Sequence, residues 1–169
     1  ALTAIELFAN AHVMWNQLYV GYSEEANSTY VTTVTDTITA IQDQTSASFY
    51  RIDRTTTRVD SAALNEGLAL GYNQLSSYSS ANNPQAIALL NSLGYSSVGE
   101  FSTRYAEPIL AVDALLGVKY AIAEHAPSGY AAMTEIADTA SAVYENPYAL
   151  SVGVMASNDI QNCTLKGEN

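Results

Sequence analysis

The chain has 169 residues, 48% of them hydrophobic, enough for one domain to bury roughly 70% of its unfolded surface, and this excludes global disorder. Against 17 acidic residues it sets only 6 basic ones, a net charge of −11, which leaves no electrostatic footprint for phosphate backbones and excludes nucleic acid as a partner. No stretch approaches the roughly 18 consecutive apolar residues of a spanning helix; the most apolar, Ile109 to Val118, is interrupted by Asp113.

Residues Glu6 to Trp15 alternate, with Leu7, Ala9, Ala11, Val13 and Trp15 on one face, which predicts a first strand. Ser23 before Glu24 and Glu25 is an N-cap followed by acidic first-turn residues. Tyr30, Val31, Val34, Ile38 and Ile41 then recur at helical spacing. The six Thr residues between positions 29 and 39 oppose a helix on propensity, and periodicity is taken as the stronger signal. Phe49 to Arg54 reads as a short strand. From Thr55 to Asn82 the chain is rich in Ser, Asn and Gly, which predicts loop with one strand around Gly67 to Tyr72.

Asn83 as cap, Pro84 at the first position, the stripe Ile87, Leu90 and Leu93, and Gly94 as stop define the next helix. The same grammar recurs with Pro108 near the start, Ile109, Val112, Leu115 and Leu116 inward, and Gly117 at the end. Val118, Tyr120 and Ile122 alternate directly afterwards as a strand. Further short strands are expected at Met133 to Ile136, Ala142 to Glu145 and Val152 to Met155. Helices interleaved with strands favour an α/β or α+β sandwich, one domain over residues 1–169, with a mixed β-sheet covered by about three helices.

Candidate chemistry is sparse. His12 and His125 lie far apart in no metal-binding pattern, so neither a metal nor a cofactor is expected. Gly67, Gly71 and Gly94 form no phosphate-cradling loop. Lone Cys163 has no internal disulfide partner. Arg51, Arg54 and Arg58 are half of all the basic residues, within eight positions. They fit a clamp for an anionic group, or intramolecular pairing with Asp53, Asp60 or other acids, the commoner outcome for Arg. Lys119 reads as a salt-bridging or snorkelling residue.

Around Tyr78, Ser79 and Ser80 the chain gathers Ser76, Ser77, Asn82 and Asn83 into an expected loop. An aromatic face beside directional hydroxyls and amides suits sugar recognition. The same residues suit a self-bonded loop that caps the next helix. Asp53, Asp60, Asp113 and Glu145 are the carboxylates to weigh for acid–base work, and isolated carboxylates are usually caps or ion-pair partners. No catalytic residue is assigned.

Several ordered motifs carry a resemblance. They are Glu6-Leu7-Phe8-Ala9-Asn10, Phe49-Tyr50-Arg51-Ile52-Asp53-Arg54, Asn65 ahead of Gly71-Tyr72, Ser76-Ser77-Tyr78-Ser79-Ser80, Leu93-Gly94-Tyr95, Leu116-Gly117-Val118-Lys119-Tyr120 and Val143-Tyr144-Glu145-Asn146-Pro147. In this order the chain resembles the extracytoplasmic domain of the YfhO family of bacterial membrane proteins. The resemblance implies a multi-pass parent of the GT-C glycosyltransferase type, with spanning helices before and after this stretch. The opening Ala1-Leu2-Thr3, without Met or signal pattern, is read as the start of an excised or processed piece. The resemblance further implies a location at the cell membrane on the extracytoplasmic side, and transfer of sugar from a polyprenyl-phosphate carrier to an envelope polymer such as teichoic acid.

Under that reading this domain is accessory and non-catalytic. Its partners are the membrane part of the same polypeptide and the lipid-linked sugar or polymer, met through Arg51, Arg54, Tyr78, Ser79 and Ser80. The sequons Asn27-Ser28-Thr29 and Asn162-Cys163-Thr164 are then chance matches. The alternative is a free-standing secreted carbohydrate-binding or adhesion module in which the Tyr/Ser/Asn loop is the whole function.

Overall fold

The computed structural model describes residues 2–18, 23–55, 64–137, 142–151 and 157–158. In chain order the elements are α1 (Leu2–Leu18), α2 (Glu24–Gln44), β1 (Arg51–Arg54), α3 (Glu66–Leu70), β2 (Ser77–Tyr78), α4 (Pro84–Ser92), β3 (Ser96–Val98), β4 (Ser102–Arg104), α5 (Leu110–Leu115), β5 (Val118–Ala123), β6 (Ala131–Ala137) and β7 (Ala142–Glu145). They build an α/β fold around a mixed four-stranded sheet in the order β1-β5-β7-β6, beside a three-stranded antiparallel sheet, β2-β4-β3.

Local chemistry accounts for the helix starts. The Ser23 hydroxyl accepts from the Ala26 N–H at 3.0 Å, and Glu24 and Glu25 complement the dipole of α2. Within α2 the Thr37 hydroxyl donates to the Thr33 carbonyl at 2.9 Å, so a residue of poor helix propensity has its polar group satisfied in place. Asn83 accepts from the Gln85 N–H at 2.9 Å and Pro84 opens α4. Gly117 ends the turn after α5 at φ +70, a backbone conformation that L side chains resist, and delivers the chain into β5.

Parallel pairing of β1 with β5 runs from Arg51 opposite Val118 to Arg54 opposite Ile122. Such a pair needs a long crossover, and here it contains α3, the small sheet, α4 and α5. On the other side β5 pairs antiparallel with β7, and β7 with β6. Being central, β5 is buried along most of its length rather than on one face. The main core joins Val34, Ile38 and Ile41 of α2 to Ile52, Tyr120, Ile122, Ile136 and Val143 of the sheet. A second cluster joins Tyr95, Tyr105 and Val118, with Leu90 of α4 and Val112 of α5 packed against it.

Several sequence expectations are corrected. Residues Glu6 to Trp15 are helical, inside α1, and not a strand. Alternation there coincides with a composition of Ala, Leu, Glu, Met and Gln that favours helix, without Gly or Pro. Most of the large apolar side chains of α1, including Leu7 and Phe8, face solvent. The strand expected around Gly67 to Tyr72 is instead the short helix α3, closed by Gly71 at φ +79. The expected Tyr-Ser loop contains an edge strand, β2. On α5 the inward positions include Asp113 and Ala114, while Leu115 is exposed. The strand expected at Val152 to Met155 lies outside the described residues. Among the described residues no helix is long and apolar enough to cross a membrane.

Candidate functional site

Alternation along β1 sends Arg51 and Asp53 in one direction and Ile52 and Arg54 in the other. Their fates differ accordingly. Arg51 lies half-buried at the edge of a groove of about 370 Å³ that also takes in Phe49, Asn65, Leu68, Gln74 and Ser77. Its guanidinium sits 5.1 Å from the Phe49 ring centroid and donates to the Leu116 carbonyl. Burial pulls its pKa below the ordinary arginine value, opposed by the negative charge of Asp53.

Arg54, expected beside Arg51 as an anion clamp, is buried instead. Its Nε lies 3.8 Å from Glu66 Oε1, and its guanidinium sits 5.8 Å from the Tyr30 ring centroid. The same carboxylate accepts from the Tyr72 hydroxyl at 2.8 Å and from the Tyr30 hydroxyl. Intramolecular pairing therefore describes Arg54, with Glu66 as the acid. Glu66 was not singled out from the sequence, because nothing in the spacing of residues 54 and 66 brings them together before the crossover folds.

Asp53 is fully buried and ties β1 to the segment leading into β2. Its carboxylate accepts from the Ser76 hydroxyl at 2.8 Å and from the Leu75 N–H. Burial pushes the Asp53 pKa up to about 7, with those hydrogen bonds pulling the other way. Ser76 in turn accepts from the Tyr105 N–H at 3.1 Å, so the groove floor is fixed from three directions.

Tyr78 presents its ring to solvent, 54% exposed, at the end of β2. Its backbone is held by Asn65, which takes the left-handed conformation at φ +85 and bonds both the N–H and the carbonyl of Tyr78. Next door, the Ser77 and Thr103 hydroxyls are 3.0 Å apart. The Ser79 N–H donates to the Phe101 carbonyl at 2.8 Å, and its hydroxyl accepts from the Ala81 N–H at 3.2 Å. Ser80 is exposed in the following turn. The loop thus combines both readings of its sequence: Ser79, Asn82 and Asn83 bond their own surroundings, while Tyr78, next in β2 to the groove-lining Ser77, is exposed.

The remaining candidates are dispersed. Asp113 is fully buried on α5, where it accepts from the hydroxyls of Tyr95, Tyr105 and Tyr130 and from the Ile109 N–H. Its pKa is raised by burial against the pull of those donors. Glu145 pairs with Lys119 at 3.5 Å. His12 lies on exposed α1, 3.0 Å from the Asn16 amide, and His125 lies on a separate groove. Asp60, Arg58, Cys163 and Asn162 lie outside the described residues. Among the described residues no group of three or more His, Cys, Asp and Glu can hold a metal ion.

No curated protein and no solved structure matches the chain. The family model described as bacterial membrane protein YfhO matches residues 1–169, the family that the ordered motifs from Glu6 to Pro147 resemble, and the chain belongs to it.

Proposed function

We propose that this chain is an accessory, non-catalytic domain on the extracytoplasmic side of a membrane glycosyltransferase. There it positions a lipid-linked sugar or an acceptor polymer over chemistry carried by the membrane part of the same polypeptide. Membership of a bacterial membrane protein family supplies the context. The observation that carries the reading is Arg51. It lies at an open groove with no ion-pair partner among the described residues, in a chain with 17 acidic and 6 basic residues.

A guanidinium in that position suits the phosphate linking a sugar to a polyprenyl chain, or the phosphate of an envelope polymer such as teichoic acid. The exposed Tyr78 ring, one residue beyond the groove-lining Ser77, suits the apolar face of a pyranose, and Ser79 and Ser80 follow it with hydroxyls. Arg54 acts from behind, holding β1 through Glu66. Among the described residues the carboxylates weighed offer no acid–base pair in the groove: Asp53 and Asp113 are buried and Glu145 is engaged with Lys119. The alternative of a free-standing secreted binding module can use the same groove, and the family match favours the membrane-linked reading.

Binding to a polyprenyl-phosphate sugar in detergent micelles tests this directly, with the corresponding polyprenyl alcohol as control. The phosphate-linked lipid should bind more tightly, and Arg51→Ala should weaken it by roughly 10- to 100-fold, the loss of one charged hydrogen bond. Equal affinity for both lipids, or an unchanged affinity in Arg51→Ala, contradicts the assignment.

A further inference from the structure

A second groove, of about 540 Å³, opens at the carboxyl ends of the parallel pair, where Thr55 follows β1 and Glu124 and His125 follow β5. In open α/β sheets, that is where strand ends splay and ligands are received. Its volume lies within the range of small-molecule sites. One wall is Glu107 and Pro108, ahead of α5; the other is Glu124, His125 and Ser128, in the turn between β5 and β6.

Both walls are tied to one buried carboxylate. Tyr105 and Ile109, which bracket the first wall, donate to Asp113 Oδ2, each at 2.9 Å. Tyr130, which closes the second, donates to the same oxygen, and its N–H bonds the Pro127 carbonyl at 3.2 Å across a turn with Gly129 at φ +83. Asp113 therefore fixes the spacing of the two walls before any ligand arrives. Such preorganisation is what separates a site from a surface crease.

The charge of the groove selects its occupant. Each wall contributes a carboxylate, and among the described residues no Lys or Arg lines it. Phosphate is thereby disfavoured, while a protonated amine gains from both sides. Thr55, Ser128 and His125 add hydroxyl and imidazole partners for ring hydroxyls, and Pro108 and Pro127 give apolar edges. We propose that this groove is a second ligand site, selective for a hydroxylated ring bearing a protonated primary amine, the chemistry of an amino sugar, and distinct from the Arg51 groove. The assignment stands on this groove alone and does not rest on the reading of Arg51.

The test is titration of the isotope-labelled protein with glucosamine, followed by amide chemical shifts, alongside N-acetylglucosamine and glucose 6-phosphate. Glucosamine should shift the amides of Glu107, Glu124, His125 and Ser128. Its affinity should fall about 10-fold or more in the double variant Glu107→Gln/Glu124→Gln and stay unchanged in Arg51→Ala. Both glutamates are exposed, so the double variant should keep the remaining spectrum. N-acetylglucosamine, which lacks the charge, should bind about 10-fold more weakly. No shift at these amides in millimolar glucosamine, equal binding by the N-acetyl or phosphate compounds, or an affinity unaltered in the double variant overturns the proposal.

Discussion

The side-chain amide of Asn65 takes both backbone hydrogen-bonding groups of Tyr78, accepting from its N–H at 2.9 Å and donating to its carbonyl at 3.0 Å. Asn65 thereby serves as a one-residue strand partner for β2, whose other edge pairs with β4. Its left-handed backbone, at φ +85, is what aims the amide at Tyr78, and Asn tolerates that conformation better than other residues with a Cβ.

Two substitutions separate those contributions. Asn65→Gly keeps the backbone conformation and loses the two bonds, which should cost about 1–2 kcal/mol in urea unfolding. Asn65→Ala loses the bonds and adds the left-handed penalty of about 1 kcal/mol more. A smaller loss for Ala than for Gly, the order that unfolded-chain entropy alone gives, would mean that the conformation at residue 65 carries no strain. Amide exchange at Tyr78 should accelerate in both variants.

Glu66 is the acid that joins β1 to two aromatic hydroxyls, through Arg54, Tyr72 and Tyr30. Removing one partner of a buried ion pair is far more damaging than never having had the pair. Glu66→Ala should therefore destabilise the protein by about 3–5 kcal/mol. Glu66→Gln, which keeps a side-chain acceptor for Tyr72, should lose less. A loss under about 1 kcal/mol for Glu66→Ala would place Arg54 in contact with solvent.

How far these arrangements were legible depends on whether their determinants are local. The caps at Ser23 and Asn83, the opening Pro84 and the stop at Gly94 are local, and their helices stand where the sequence sets them. Alternation at Leu7, Ala9, Ala11, Val13 and Trp15 misled because a period of two can arise in an apolar helix, and no strand partner is visible in sequence. Strands β3 and β4 escaped notice because three-residue strands of Ser, Thr and Val pair only once the crossover folds. Asp113 interrupts the apolar stretch and stands outside the stripe of Ile109, Val112, Leu115 and Leu116 that the sequence sets inward. Only the convergence of Tyr95, Tyr105 and Tyr130, scattered in sequence, makes its inward position sustainable. Arg51 and Arg54 looked alike until the alternation of β1 sent them to different surroundings.

Stability should fall as pH rises toward neutrality, with Asp53 as a traceable cause. Its native pKa, about 7, stands above the ordinary value of 3.8 that the unfolded chain retains, because burial disfavours the charged form. The native state thus holds a proton that the unfolded state has released. The contribution is complete below the unfolded value, declines as pH rises, and is gone above about 7, a swing on the order of 4 kcal/mol. Asp113, raised by burial in the same direction, adds to the trend. General self-repulsion at a net charge of −11 also favours lower pH, so the informative quantity is the difference from Asp53→Asn. Urea unfolding at pH 5 and pH 8 should show a smaller decline in Asp53→Asn than in the unsubstituted protein. Identical declines would remove Asp53 as a cause.

Whether this domain serves envelope glycosylation through Arg51 and Tyr78 is decided in cells. The measurement is the extent of sugar on the envelope polymer in cells whose full-length protein carries Arg51→Ala or Tyr78→Ala, with membrane abundance quantified alongside. Glycosylation should fall at unchanged abundance in both variants, the greater loss in Arg51→Ala because a charged hydrogen bond exceeds a ring contact. Full glycosylation in both variants, or a loss that merely follows lost abundance, would contradict that role.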